Sequence, residues 1–275
     1  MTTYLWLIPL GLVLGFFGTL IGAGGGFILV PVLLLLYPHA DPETITSISL
    51  AVVFLNALSG SFAYARMKRI DYHSGLLFAV AAVPGAIVGA LTTDYIPRRS
   101  FDLVFGVIMI AAAVYLFLHR NYQEPQTTRS SNRLTTRKVV DKDGNMHVYS
   151  YSLKIGVVMS LLVGYVSSVL GIGGGIVHVP ALIRLLNFPV HLATATSHFI
   201  LAIMALTGTM VHIITGSFSH GGMWRTIFIG IGVLIGAQAG ALLSTHVHGK
   251  WIIRGLAIAL GFVGLRILLM GLTWF

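Results

Sequence analysis

Ten apolar stretches, at residues 4–21, 27–37, 45–66, 74–93, 100–119, 153–170, 176–186, 193–214, 224–245 and 251–273, divide the chain, with short polar breaks between them. The runs are continuous, so they fit helices and not the alternating strands of a membrane barrel. Eight are about long enough to cross a bilayer. The stretches 27–37 and 176–186, with 11 residues each, reach only about 16 Å as helices and read as half-helices or re-entrant segments. Only 9% of residues are charged and 56% are hydrophobic, which excludes an ordinary soluble enzyme. Cysteine is absent, which removes thiolate chemistry and Cys-type metal centres. The expected fold is all-α, a polytopic membrane helix bundle. Residues 1–14 lack a basic leader and a small-residue cleavage site, so they read as the start of the first helix.

The chain repeats itself. Shifted by 149, Gly15–Leu33 overlays Gly164–Leu182 with 8 of 19 positions identical, including four glycines of GxGGG and a proline five residues later. A shift of 148 pairs Thr46, Ser49 and Ser59-Gly60 with Thr194, Ser197 and Thr207-Gly208, and a shift of 151 pairs Gly85-Ala86 with Gly236-Ala237. The expected division is a membrane repeat at 1–119, a polar linker at 120–152 and a second membrane repeat at 153–275, each repeat with a glycine-broken helix pair. The linker holds six Lys or Arg against three acids, so the positive-inside rule puts it in the cytoplasm with Arg66-Met67-Lys68-Arg69, and Asp41 and Glu43 outside. His246, His248, Lys250 and Arg254 then also lie inside. An odd number of crossings per half inverts the halves, as many secondary transporters do; half-helices that stop short leave a parallel arrangement open. The net charge of +9 reads as basic loops facing anionic lipid, with no nucleic-acid role.

The two glycine clusters, with Gly24, Gly25 and Gly26 in one and Gly173, Gly174 and Gly175 in the other, each separate an apolar helix from a short one. A break in hydrocarbon frees backbone N–H groups, and a short helix starting there aims its positive dipole end at the gap. Two such ends facing each other suit an anion. Close helix packing by small residues is the plainer reading of glycine pairs, but duplicated GxGGG followed by Pro31 and Pro180 favours the functional break. Neither cluster completes G-x-G-x-x-G or a phosphate loop.

The next long segment of each half begins with hydroxyls, Thr46 and Ser49 in one, Thr194 and Ser197 in the other. They are helix caps on the plain reading and neutral donors to an anion on the functional one. Asn56 and Gln238 are candidate polar linings. Among intramembrane ionisable residues, His198 and Arg266 are candidates for coupling, with His178 and His212 behind them; Arg184, Arg225 and Arg254 sit near segment ends, where snorkelling accounts for them. No HExxH or comparable spacing calls for a metal, and no cofactor is called for.

With the duplicated GxGGG-x4-P at Gly22–Pro31 and Gly171–Pro180, and the Thr/Ser-rich start of the following helix, the sequence resembles the TauE/SafE family of sulfite and organosulfonate exporters. The resemblance spans residues 4–119 and 153–273. The family's Gly-Thr-Ser-type signature is present without its glycine, as Ile45-Thr46-Ser47-Ile48-Ser49 and Ala193-Thr194-Ala195-Thr196-Ser197. It implies movement of small sulfur-containing anions.

The expected function is therefore secondary transport of a small anion, export of sulfite or an organosulfonate by alternating access with proton coupling through His198, at a site between the breaks, in the inner (plasma) membrane. A passive anion channel and an uptake permease for a sulfonate or carboxylate share the same residues and stay open. An intramembrane enzyme would need a GxSxG, paired intrahelical aspartates or HExxH, and the chain has none. Partners are the anion and the lipid bilayer; a homo-oligomer is left open.

Overall fold

The computed structural model describes residues 4–37, 40–118, 134–218, 222–244 and 249–273. These form helices α1 (Leu7–Ile21), α2 (Gly26–Leu36), α3 (Pro42–Arg66), α4 (Tyr72–Thr93) and α5 (Arg98–Leu118), then strands β1 (Thr135–Val140) and β2 (Met146–Tyr151), then α6 (Leu153–Leu170), α7 (Gly175–Leu185), α8 (Val190–Ile214), α9 (Gly222–Leu243) and α10 (Gly249–Thr273). The fold is the all-α polytopic bundle read from the apolar runs. Five described helices, α3, α4, α6, α8 and α9, are long and apolar enough to cross a membrane. One expectation is corrected: α1, taken as a full span, has 15 residues, about 22 Å, because Gly22 ends it in a left-handed turn. Phe62, Val80, Ile235 and Phe262, each more than half exposed, look outward, as a lipid-facing surface requires.

Contacts between loops sort the helix ends onto two faces. On one, Arg98 Nη1 donates to Ala40 O at 2.8 Å and Ser47 Oγ reaches Ser217 O at 3.4 Å, gathering the end of α2 with the starts of α3 and α5 and the end of α8. On the other, Lys142 N donates to Met67 O at 3.0 Å, Asn187 Nδ2 to Ser150 O at 3.3 Å, and Arg137 pairs with Asp71 at 3.0 Å. That second face gathers the end of α3, the start of α4, the β1–β2 hairpin and the α7–α8 loop. Helix α1 thus leaves the first face and α2 returns to it, while α6 leaves the second face and α7 returns to it. The two broken pairs therefore enter from opposite faces.

Small residues set the packing. Helix α1 lies against α9 and α6 against α4, α3 crosses α8 at the centre, and α5 pairs with α10 at the side. A Cβ on Gly85 would overlap Leu161 O, one on Gly164 would overlap Ala82 O, and one on Gly236 would overlap Leu12 O. Such contacts let helix backbones touch, where lipid offers no hydrophobic drive to association.

The linker, expected only to be polar, carries the antiparallel hairpin over its described part, with Thr135 opposite Tyr151 and Val140 opposite Met146. Val139, Tyr149 and Tyr151 turn toward the bundle, and the rings of Tyr149 and Tyr151 pack at a tilt against Phe188, with centroids at 4.4 and 5.5 Å. Asp71 anchors it: its carboxylate accepts from Arg137 Nε at 3.2 Å and Nη2 at 3.0 Å, from Tyr149 Oη at 2.7 Å, and from Ser74 Oγ at 2.5 Å. Burial alone would raise the Asp71 pKa, but Arg137, Ser74 and Tyr149 outweigh it and hold the carboxyl below its ordinary range.

Candidate functional site

Both breaks are built from backbone geometry that favours glycine. Gly22, Gly24 and Gly25 have φ of 84°, 78° and 81°, and Gly171, Gly173 and Gly174 have 67°, 80° and 74°. Helix α1 ends as Ala23 N turns back to Gly18 O at 2.8 Å, and α2 starts from left-handed Gly25. The second break repeats this, with Ile172 N on Ser167 O at 3.2 Å and α7 starting from left-handed Gly174.

The two breaks touch. A Cβ on Gly26 would lie 2.7 Å from Ile172 O and 2.8 Å from Gly171 O; one on Gly175 would overlap Gly22 O. Gly24 and Gly173 both meet the Val53 side chain, near the middle of α3. All ten residues of the two clusters are buried.

Inside this junction donors divide into used and unused. Thr46 Oγ1 donates to Pro42 O at 2.9 Å and Thr194 Oγ1 to Val190 O at 2.9 Å, while Ser49 Oγ donates across to Gly171 O at 2.5 Å and Ser197 Oγ to Gly22 O at 3.4 Å. The capping reading of these hydroxyls is corrected, since α3 and α8 begin about a turn earlier, behind Asp41 and Pro189. Thr46 and Thr194 bond within their own helices, whereas Ser49 and Ser197 pin each break to a helix from the other side of the linker. The Gly24 amide is also taken, by Gly18 O at 3.1 Å. In α2 the first amides with an acceptor are Ile28 N and Leu29 N, and in α7 they are Val177 N and His178 N; among the described residues the amides of Gly26, Phe27, Gly175 and Ile176 have none.

Side-chain donors join them. Asn56 is fully buried; its Oδ1 accepts from Thr19 Oγ1 at 2.7 Å and its Nδ2 has no partner. A Cβ on Gly18 would lie 2.5 Å from Gly25 N and 2.7 Å from Asn56 Nδ2, so bare Gly18 lets α2's start and the free amide group share one corner. At the second break the matching corner holds Ser167 Oγ, also unpartnered, 3.0 Å from where a Gly174 Cβ would be, with Met204 in the place of Asn56. His198 Nε2 lies 3.3 Å from Thr19 Oγ1, and its ring meets Tyr64 edge-on at 5.6 Å, whose Oη donates to Thr19 O at 2.8 Å.

The structure thus brings together the glycines, Thr46, Ser49, Asn56, Thr194, Ser197 and His198. Arg266 it places on the exposed surface of α10, away from the breaks. Gln238 is a packing residue: its Nε2 donates to Ser59 O at 2.7 Å across α9 and α3. His178 faces Ser160 at 3.2 Å in α7, and the Arg225 guanidinium stacks 3.7 Å over Tyr37. His246 and His248 lie outside the described residues. Sequence reasoning missed Thr19, Ser167 and Ser168, although Thr19 and Ser168 hold the same place in the repeat, three residues ahead of each GxGGG.

The sequence model of the family described as "Sulfite exporter TauE/SafE" matches residues 7–267. The chain is 31% identical to "Probable membrane transporter protein YunE" of Bacillus subtilis, over 98% of this chain and 99% of that one. It is 23% identical to a "Probable membrane transporter protein" of Methanocaldococcus jannaschii, over 97% of each. No solved structure matches it significantly.

Proposed function

Because the chain belongs to the sulfite exporter TauE/SafE family, and is on that ground a membrane transporter, we propose that it carries a small oxyanion, sulfite or an organosulfonate, out of the cell by alternating access. The observation that carries this reading is the set of unused neutral donors at the touching breaks: the amides opening α2 and α7, Asn56 Nδ2 and Ser167 Oγ. Helix starts favour anions through free amides and dipole, and neutral donors let cargo leave as well as bind. Gly24, Gly25, Gly26, Gly173, Gly174 and Gly175 shape the site. Ser49 and Ser197 hold it to the opposite half, Thr46 and Thr194 flank it, Asn56 supplies the side-chain donor, and His198 takes part in proton coupling.

The halves 1–119 and 153–275 act as inverted repeats around this junction. Opposed entry of α1–α2 and α6–α7, and the parallel roles of α1 on α9 and α6 on α4, support that reading. The hairpin face, with Arg66, Lys68 and Arg69, is cytoplasmic, and the membrane is the inner one.

Sulfite flux into and out of liposomes tests the proposal. Valine at Gly25 or Gly174 fills the site and strains a left-handed residue, so flux should fall at least tenfold in protein that still elutes as a folded species. Unchanged flux in either variant removes that break from the transport path.

A further inference from the structure

Near the face opposite the hairpin, a second buried chain of polar groups lies beside the Gly171 break, and the transport site does not use it. His212, fully buried in α8, places Nδ1 3.1 Å from Ser217 Oγ, and the Ser217 hydroxyl donates to Glu43 Oε1. Ser217 has one hydrogen. With that hydrogen on an ionised Glu43, the His212 contact is a hydrogen bond only if Nδ1 carries the proton, which leaves a lone pair on Nε2. That Nε2 is buried and has no partner. One turn earlier on α8, a Cβ on Gly208 would lie 3.3 Å from Ser168 Oγ, itself buried and unpartnered, just before the Gly171 break. Ser168 thus lies beside the break, and one turn beyond Gly208 the hydrogen-bonded chain His212–Ser217–Glu43 leads to a face where the carboxylates of Asp94 and Asp41 bear on Glu43, and Asp94 bears on His212. Of the basic residues on that face, Arg98 pairs with Asp102, Arg225 stacks over Tyr37, and Arg99 is exposed at the start of α5.

We propose that His212, Ser217 and Glu43 form a proton relay between the transport site and the face opposite the hairpin, making the proton the coupling ion. This rests on the transport reading above and adds the route. In one passage Nε2 takes a proton from bound hydrogensulfite or from water, the Nδ1 proton passes to Ser217 Oγ, and the Ser217 proton passes to Glu43. One proton leaves the donor and one arrives at the carboxylate. Reversal of the three hydrogen bonds carries it back. His198 lies about 20 Å away, four turns along α8, on the hairpin side of the breaks, so the two histidines serve opposite faces.

The test uses the whole protein in liposomes loaded with a pH-sensitive dye, with sulfite as the probe. Wild type should move protons with sulfite and accumulate sulfite when a pH gradient is imposed. His212→Gln, which keeps a hydrogen-bonding side chain but cannot titrate, should lose gradient-driven accumulation at least tenfold and keep at least half of sulfite exchange at equal pH. Ser217→Ala should behave the same way, and Ser217→Thr should restore the drive. Gradient-driven accumulation that survives in His212→Gln overturns the relay, as does wild-type sulfite flux without proton movement, which leaves the transport reading standing. Absence of wild-type sulfite flux overturns both.

Discussion

Ser49 Oγ donates to the Gly171 carbonyl at 2.5 Å, whereas Ser197 Oγ reaches the Gly22 carbonyl at 3.4 Å. The same hydroxyl at the same place in the repeat thus makes a tight pin at one break and a loose one at the other. Unequal pins suit a cycle in which one break is released before the other.

Removing the tight pin should matter more. Ser49→Ala leaves a buried carbonyl unpaired, which costs about 1–2 kcal/mol, while Ser197→Ala should cost under about 0.5 kcal/mol. Unfolding in detergent, followed by circular dichroism against added denaturant, measures the difference. Equal costs would remove the asymmetry.

Asn56 tests the proposed binding corner separately. Asn56→Asp swaps the free Nδ2 donor for a charge that repels an anion, so sulfite binding should weaken at least a hundredfold. Asn56→Gln, which retains an amide, should weaken it by about tenfold through misplacement. Calorimetric titration with sulfite decides, and wild-type affinity in Asn56→Asp would remove Asn56 from the site.

The glycine contacts between helices make a third prediction. Gly85 and Gly236 hold the same place in the repeat and meet carbonyls of α6 and α1. Leucine at either should push the helices apart and cost at least about 3 kcal/mol, beyond the usual range for overpacking, because the obstacle is backbone. Alanine should cost less, about 1–2 kcal/mol. Thermal unfolding of both variants checks the order.

Helix edges were legible because apolar runs and glycine breaks are strong local signals: the expected runs 153–170 and 27–37 differ from α6 and α2 by at most a residue at either end. The donors around each break were partly legible. Asn56 and His198 stood out as polar groups in apolar runs, whereas Thr19 looked like one small residue among many, and its role depends on α3 and α8 arriving from elsewhere. The Ser49 bond to Gly171 spans the two halves, and no local pattern specifies such a partner. Arg266 shows the converse, since a charge in an apolar run marks a candidate but not the side of the helix it occupies. The hairpin was hidden for another reason: β1, Thr135-Thr136-Arg137-Lys138-Val139-Val140, sets like residues side by side instead of alternating polar with apolar ones, and its inward face is fixed by Asp71 and Phe188 on distant helix ends.

That hairpin makes the last prediction. It binds Asp71 on the α3–α4 loop through Arg137 and Tyr149, and Asn187 and Phe188 on the α7–α8 loop through Ser150 and the two tyrosines. These loops border the proposed cytoplasmic mouth, so parting them requires the hairpin to let go of one. Asp71 titrates lower in the folded protein than in the unfolded chain, whose value is about 3.9, so its contribution is fully present above that and is lost as pH falls through the folded value. Arg137 stays charged throughout, its pKa raised by the Asp71 hydrogen bond, and Tyr149 keeps its proton because burial and the Asp71 carboxylate push its pKa up. The chain has no cysteine, so a single one at exposed Lys138 can carry a spin label without further changes. Its spectrum should stay immobile from pH 8 down to about 4 and loosen below that. Arg137→Gln removes the counter-charge of Asp71 and leaves it only the donors of Tyr149 and Ser74, a loss of about 1–2 kcal/mol, and should loosen the label at every pH. The same variant should raise the rate of sulfite exchange, and a loosened hairpin with unchanged exchange would make the hairpin a bystander to opening.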